Sequence, residues 1–571
     1  MDNNEVNKEI TGKALEGRTT DNPINSVYGN ASPTTQGIIQ NSKIRERLTV
    51  PVGKRDYLFV LLTFLATVIF IRFSFFGGFN LGFTVSYIIL FAVTLLYLKK
   101  KGKGLPLFPL LCGIFALLLS VPFTLYCDGP IKFISFVAIT LLTALFFGGM
   151  SNSLKCSDGS YMLGVDALFI LFIYPLKYLT LFTDSVKKSS SNNGNKGIKQ
   201  ITYIAGGVAI TIPLLMIIVP LLMDSDAAFE SLIEKIFGGL TETIVSVIAG
   251  LVLTPFVFIC IFVLSKGVES LNDKNALTER TFGLSPVLIN TVLIIISGCY
   301  AMYLLSQTAY FFSAFESLLP ESYTAAEYAR RGFFEMCAVA AINLCIFFGA
   351  YILEKRGEEN RIQGLTKGLL TFLTVFTLVL IITSFSKMYM YIDRFGLTRL
   401  RVLTSCFMIM LFLVFVVLLL KLFIGKLPYM KIIIILAALT LCSISYSDID
   451  TQIAKYNTNR YFKEPQKEID IEAIYNLSEA KIPYLIELCE KGNKTVKKDV
   501  SYYLADMIYT YGEYDQNKNI YEFDTGFKFI SYNKTRNNAV ALIEQIYKKS
   551  GQEIFDLMRQ NDEYYDYRSL R

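Results

Sequence analysis

The chain has 571 residues, 53% of them hydrophobic and only 18% charged, with a mean hydropathy of +0.44 and a net charge of +7. Many separate apolar stretches approach the twenty or so residues needed to cross a bilayer, which marks a multi-pass membrane protein. Lys and Arg fall mostly in short loops, where they act as topology signals, so the basic balance implies no nucleic-acid partner.

Residues 1 to about 50 are polar, rich in Asn, Thr and Gly, and lack the apolar core of a signal peptide. They are expected to form a disordered cytoplasmic tail ahead of a transmembrane domain over 51–447. Apolar segments follow at about 57–76, 79–98, 105–126, 131–149, 201–223, 244–265, 286–306, 333–353, 368–386, 402–422 and 432–447. The fold expected is therefore all-α, a polytopic transmembrane helix bundle of about eleven spans. A further run at 162–182 is interrupted by Asp166, Pro175 and Lys177, and is expected to lie along the interface or re-enter instead of crossing.

Orientation follows from the positive-inside bias. Basic residues crowd the approach to the first span (Lys43, Arg45, Arg47, Lys54, Arg55), the 99–103 turn and the 183–200 loop, whereas the turns near 77 and 127–130 and the loop 307–327 carry no Lys or Arg. With eleven spans, the N-terminus is cytoplasmic and residues 448–571 form an extracytoplasmic helical domain. In that domain, Asp470 and Ser478 are the expected helix caps, and no exact repeat period is visible.

Two stretches place charge where insertion bias disfavours it. "YARRGFFE" at 328–335 opens an apolar run, with Tyr328, Arg331 and Glu335 on one helical face and Asn343 two turns deeper. "KMYMYIDRFGLTRLR" at 387–401 is a basic loop expected outside; if helical, it aligns Lys387, Tyr391, Arg394, Thr398 and Arg401 on one face. Two readings fit both stretches. In the first, arginines anchor helix ends at lipid phosphates and pair with Glu335 or Asp393. In the second, Arg330, Arg331, Arg394, Arg399 and Arg401 converge on an anionic ligand, with Glu335 and Asp393 orienting the guanidinium groups, because guanidinium forks suit phosphate.

These residues also carry a resemblance. "YTAAEYARRGFFEMCAVAAINL", "DRFGLTRLRV", "GFNLGF", "LLMDSDAAF" and "IAKYNTNRY" resemble a widespread bacterial multi-pass membrane family catalogued only as a domain of unknown function, from about residue 55 to the start of the tail. The resemblance implies an integral protein of the bacterial cell membrane and carries no activity, cofactor or catalytic residue with it.

The sequence offers little sign of an enzyme. The absence of histidine excludes Ser-His and Cys-His nucleophilic sites, HExxH zinc sites and haem ligation by histidine. The ten cysteines are scattered without a CxxC pair and read as small apolar packers. Asp224 and Asp226 in "DSDAAFE" are spaced to hold a divalent cation, as a lipid-linked glycan-modifying enzyme requires, yet such a pair also caps helix starts. No catalytic residue and no cofactor are expected. The partners expected are membrane lipids, an anionic lipid or lipid-linked ligand, and an envelope protein meeting the C-terminal domain; the role is transport, sensing or assembly.

Overall fold

The computed structural model describes residues 49–98, 106–154, 162–186, 241–268, 283–314, 333–354, 363–464 and 469–559 except 519 and 527, with scattered positions between 211 and 229. Among these, ten helices are long and apolar enough to cross a membrane. They match ten of the eleven expected spans. Helices are the natural outcome for such runs, since a backbone surrounded by hydrocarbon must satisfy its polar groups within the segment. The molecule is an all-α multi-pass membrane protein.

The helices are α1 (Lys54–Ser74), α2 (Leu81–Leu98), α3 (Leu107–Ser120, continued by Pro122–Leu125), α4 (Gly129–Met150), α5 (Thr241–Lys266), α6 (Pro286–Ala314), α7 (Phe333–Leu353), α8 (Gly364–Phe395), α9 (Arg399–Phe423) and α10 (Tyr429–Tyr446). Two buried clusters hold them together. The first joins α1 to α5 around Phe83, Phe123, Phe262 and Leu119. The second joins α6 to α9 around Leu370, Phe347 and Phe415, and α10 contributes to both, through Ala438 and Cys442 on one side and Tyr429 on the other. Small residues bring helices close: a Cβ on Gly250 of α5 would lie 2.5 Å from Val68 of α1, and one on Gly149 of α4 would lie 2.2 Å from Pro109 of α3.

The two ends of the bundle are chemically distinct. At the end where α1 begins, here called the base, Asp56 accepts hydrogen bonds from the Tyr97 hydroxyl (2.6 Å) and Lys266 Nζ (2.9 Å), while Arg55 donates to the carbonyls of Leu96 and Tyr97. At the opposite end Arg72 pairs with Glu242 at 2.5 Å.

The interrupted run after α4 forms a helix over Met162–Leu168, a π-turn over Phe169–Ile173 and a last helical turn Tyr174–Lys177. Leu154, just before it, packs near Gly148 at the base, and Ser185 Oγ, at its close, accepts from the Val50 N–H at 3.0 Å. It begins and ends at the base and does not cross. The expected span 201–223 lies largely outside the described residues; Val186 and Glu242, which flank it, sit at opposite ends of the bundle. Residues 1–48, expected to be a tail, also lie outside them.

Beyond α10 the chain packs on the end opposite the base. Helices α11 (Ile449–Lys463), α12 (Ile482–Lys491), α13 (Lys494–Tyr511) and α14 (Lys534–Arg559, bent at Ser550) surround their own core of Ile453, Leu485, Val500, Leu504 and Ile543. Apolar residues every four positions along α13 (Val496, Val500, Leu504, Ile508) are all buried. Asp470 caps as expected, its carboxylate accepting from the Ala473 N–H at 2.8 Å, whereas Ser478 begins a 3₁₀ turn without a side-chain cap bond. A short antiparallel hairpin, β1 (Gly512–Asp515) with β2 (Ile520–Phe523), interrupts the helices.

The tail is bonded to the bundle at many points. Asn533, fully buried, donates to the carbonyls of Phe123 (3.1 Å) and Tyr126 (2.8 Å) and accepts from the Cys127 thiol. Backbone bonds run from Leu81 N–H to Tyr532 and from Gly82 N–H to Ile530. Asn457 exchanges two bonds with the backbone of Leu397.

Candidate functional site at the tail end of the bundle

Of the first charged stretch the structure describes only its end, 333–335, whereas 387–401 is described throughout, at the tail end of the bundle. Tyr328, Arg330 and Arg331 lie outside the described residues. Glu335 is exposed in the first turn of α7, and the next residue, Met336, accepts a hydrogen bond on its sulfur from Ser384 Oγ of α8 at 3.0 Å. The start of α7 therefore lies within a turn of Lys387. Asn343 is fully buried and ties three helices: Tyr300 of α6 donates to its Oδ1 at 2.5 Å, and its Nδ2 donates to Thr377 of α8 at 2.9 Å.

Helix α8 has 32 residues, about 48 Å at 1.5 Å per residue, so its last turns project past an apolar layer of about 30 Å. Lys387, Tyr391 and Arg394 do share a face on it. The face does not continue to Thr398 and Arg401, because α8 ends at Gly396, whose φ of +78° is a left-handed conformation that closes the helix with a bond to Ile392. Thr398 instead caps α9, accepting from the Arg401 N–H.

The arginines after this break are engaged within the fold. Arg401 returns over Tyr391, 4.3 Å from the ring centroid, and donates to the terminal carbonyls of Phe395 (3.2 Å) and Gly396 (2.6 Å). Arg399 forms a fork with Asp450 of α11, Nε to Oδ1 at 3.0 Å and Nη2 to Oδ2 at 2.6 Å, and its Nε lies 3.4 Å from Asp128 in the α3–α4 turn. Asp450 Oδ2 also accepts from the Ser478 N–H at 2.8 Å. Burial holds the Asp128 carboxyl above its ordinary pKa, and the neighbouring Asp450 charge adds to the rise. The acids that orient a guanidinium here are thus Asp450 and Asp128, which the sequence alone did not single out; Glu335 and Asp393 are exposed. Arg394 is exposed too, beside the Phe395 ring, and its carbonyl and that of Asp393 accept from Arg460 of α11.

Asp224 and Asp226 are both exposed. The Asp226 carboxylate accepts from the Ala228 N–H at 2.9 Å, the local bond of a turn. Among the described residues no group of three or more Cys, Asp or Glu side chains gathers to hold a metal ion.

No curated protein and no solved structure matches the chain. The family model described as "Domain of unknown function (DUF4153)" matches residues 113–488, about two thirds of its length, and includes α4 to α10 and the first helices of the tail. This multi-pass membrane protein belongs to that family.

Proposed function

We propose that the protein is a ligand-binding component of the bacterial cell envelope, with its base in the cytoplasm and its tail outside, that holds an anionic phosphate-bearing headgroup where α7 begins and α8 ends. Arg394 carries this reading. It is an exposed guanidinium with no carboxylate partner among the described residues, while Arg399 and Arg401 nearby are taken up by Asp450 and by backbone carbonyls. Lys387 lies on the same face of α8, and the sequence puts Arg330 and Arg331 just ahead of α7. Lys54, Arg55, Lys266, Lys367, Lys421 and Lys431 at the base support the orientation.

The test is calorimetric titration of the detergent-purified protein with short-chain phosphatidylglycerol. Arg394→Lys keeps the charge and loses the fork, and is expected to weaken binding by about 1–3 kcal/mol, with Arg394→Ala weaker still. Equal affinity in all three proteins overturns the proposal.

A further inference from the structure

The seam between bundle and tail is not closed along its whole length. A cleft of about 350 Å³, the size of a small-molecule site, opens between the end of the α3 extension, the turn into α11, the start of α12 and the start of α14. Its chemistry is mixed: the carboxylates of Asp448 and Glu479, the rings of Tyr126 and Tyr484, and the exposed Lys534.

Asp448 is the centre of the cleft's charge. It is one of three non-glycine residues with positive φ among the described residues (φ 47°, ψ 62°), a left-handed conformation that Asp and Asn tolerate better than other side chains. The turn holds the carboxylate at the start of α11, where Thr451 Oγ1 donates to Oδ2 at 2.6 Å. Its negative charge reaches both phenols, adding to the burial that raises the pKa of Tyr126 and Tyr484. A water-sized pocket shares Tyr126 and Asp448 with the cleft and leads to Asp128. Asp128 is 7% exposed, and its Oδ2 accepts no hydrogen bond, although Arg399 lies 3.4 Å away. The buried Asp128 carboxylate, with Arg399 and Lys132 as its cationic neighbours, therefore lies behind the site.

We propose that this cleft binds an amine-bearing zwitterion, its ammonium group seated between the Asp448 carboxylate and the faces of Tyr126 and Tyr484, and its anionic group meeting Lys534. A carboxylate beside two aromatic rings attracts an organic ammonium through charge and ring quadrupole together, and a cationic side chain in the same cleft suits a ligand that also carries negative charge. The chemistry is shared by soluble phosphoamines and by lipid headgroups of the same type.

The experiment is titration of the full-length protein in detergent with choline, phosphocholine and short-chain phosphatidylethanolamine. Asp448→Asn preserves the left-handed turn and an oxygen for Thr451, so the fold is retained while the charge is lost. Phosphocholine affinity is expected to fall at least about tenfold in Asp448→Asn and in Tyr484→Leu, which removes a ring without touching the turn. Lys534→Ala is expected to weaken phosphocholine and leave choline unchanged. Tighter binding of the phosphatidylethanolamine identifies a lipid source, and tighter binding of phosphocholine a soluble one. Absence of binding by all three probes, or wild-type phosphocholine affinity in Asp448→Asn, overturns the proposal; an equal phosphocholine affinity in Lys534→Ala overturns its zwitterionic part. Arg394→Ala is expected to leave the titration with choline, which carries no phosphate, unchanged, and this separates the site from the one at the end of α8.

Discussion

Replacing Arg399 by Ala removes a side chain that joins the α3–α4 turn, α9 and the tail. It leaves Asp450, 1% exposed, and Asp128, 7% exposed, without their paired guanidinium, although Lys481 and Lys132 remain in their surroundings. Stripping one partner from a buried ion pair costs about 3–5 kcal/mol. Two features pull the figure to the lower end: the Arg399 side chain is 26% exposed and so is partly hydrated, and both acids keep a backbone donor, Ser478 N–H for Asp450 and Ile131 N–H for Asp128. A loss of about 3 kcal/mol corresponds to a more than hundredfold rise in the undocked population, at 1.4 kcal/mol per factor of ten. Limited proteolysis of the purified protein reads this directly, as faster cleavage within 449–559 while the bundle stays intact. Changing Arg399 and Asp450 together to Leu is expected to cost less than Arg399→Ala, because the most deeply buried charge goes with its partner. Wild-type cleavage rates in Arg399→Ala, or a double variant worse than the single one, refute this reasoning.

Gly396→Ala puts a side chain at φ +78° with its Cβ 2.5 Å from Asn457 Oδ1, and is expected to lower stability by about 1–3 kcal/mol in thermal unfolding. Asn533→Ala leaves the Phe123 and Tyr126 carbonyls without that donor and is expected to cost about 2–3 kcal/mol, seen as a lower melting temperature and earlier proteolysis of the tail. Burial lowers the Lys481 pKa from 10.5 to about 8, so the folded state releases a proton that the unfolded state still holds between those values. Stability is therefore expected to gain a rising contribution from about pH 8 to 10.5, and Lys481→Met, measured by denaturant unfolding across that range, is expected to lose it. Reporter fusions active only outside the cytoplasm are expected to be active after residue 500 and silent after 190, 275 and 360; the reverse pattern at 360 and 500 contradicts the orientation.

What could be read from the sequence was set by the range of the interactions involved. Spans are local, and apolar runs as long as 402–422 foretold α9 with little ambiguity. The interrupted 162–182 run was also legible, because Asp166 and Pro175 break an apolar pattern where they stand. The end of α8 was signalled by Gly396 in "RFGLT", a glycine at the polar close of a helical pattern, but a helical stripe carried across it aligned Arg401 with the wrong residues. The hairpin Gly512–Phe523 went unseen since four-residue strands are too short for alternation to stand out from helical spacing. The Arg399 fork was out of reach: its partners come from α11 and from the α3–α4 turn, and only tertiary packing brings them together. Asn343 could be noticed as a polar residue within a span, yet its ties to Tyr300 and Thr377 needed three packed helices.

Native mass spectrometry of the full-length protein released from its own membranes tests the headgroup proposal most directly. A lipid with a net anionic phosphate headgroup is expected to remain bound to the wild-type protein and to be lost from Arg394→Ala, while Arg401→Ala, whose guanidinium serves the α8 carbonyls, retains it if the variant stays folded. A wild-type protein that carries no such adduct, or an Arg394→Ala protein that carries it equally, contradicts the proposal.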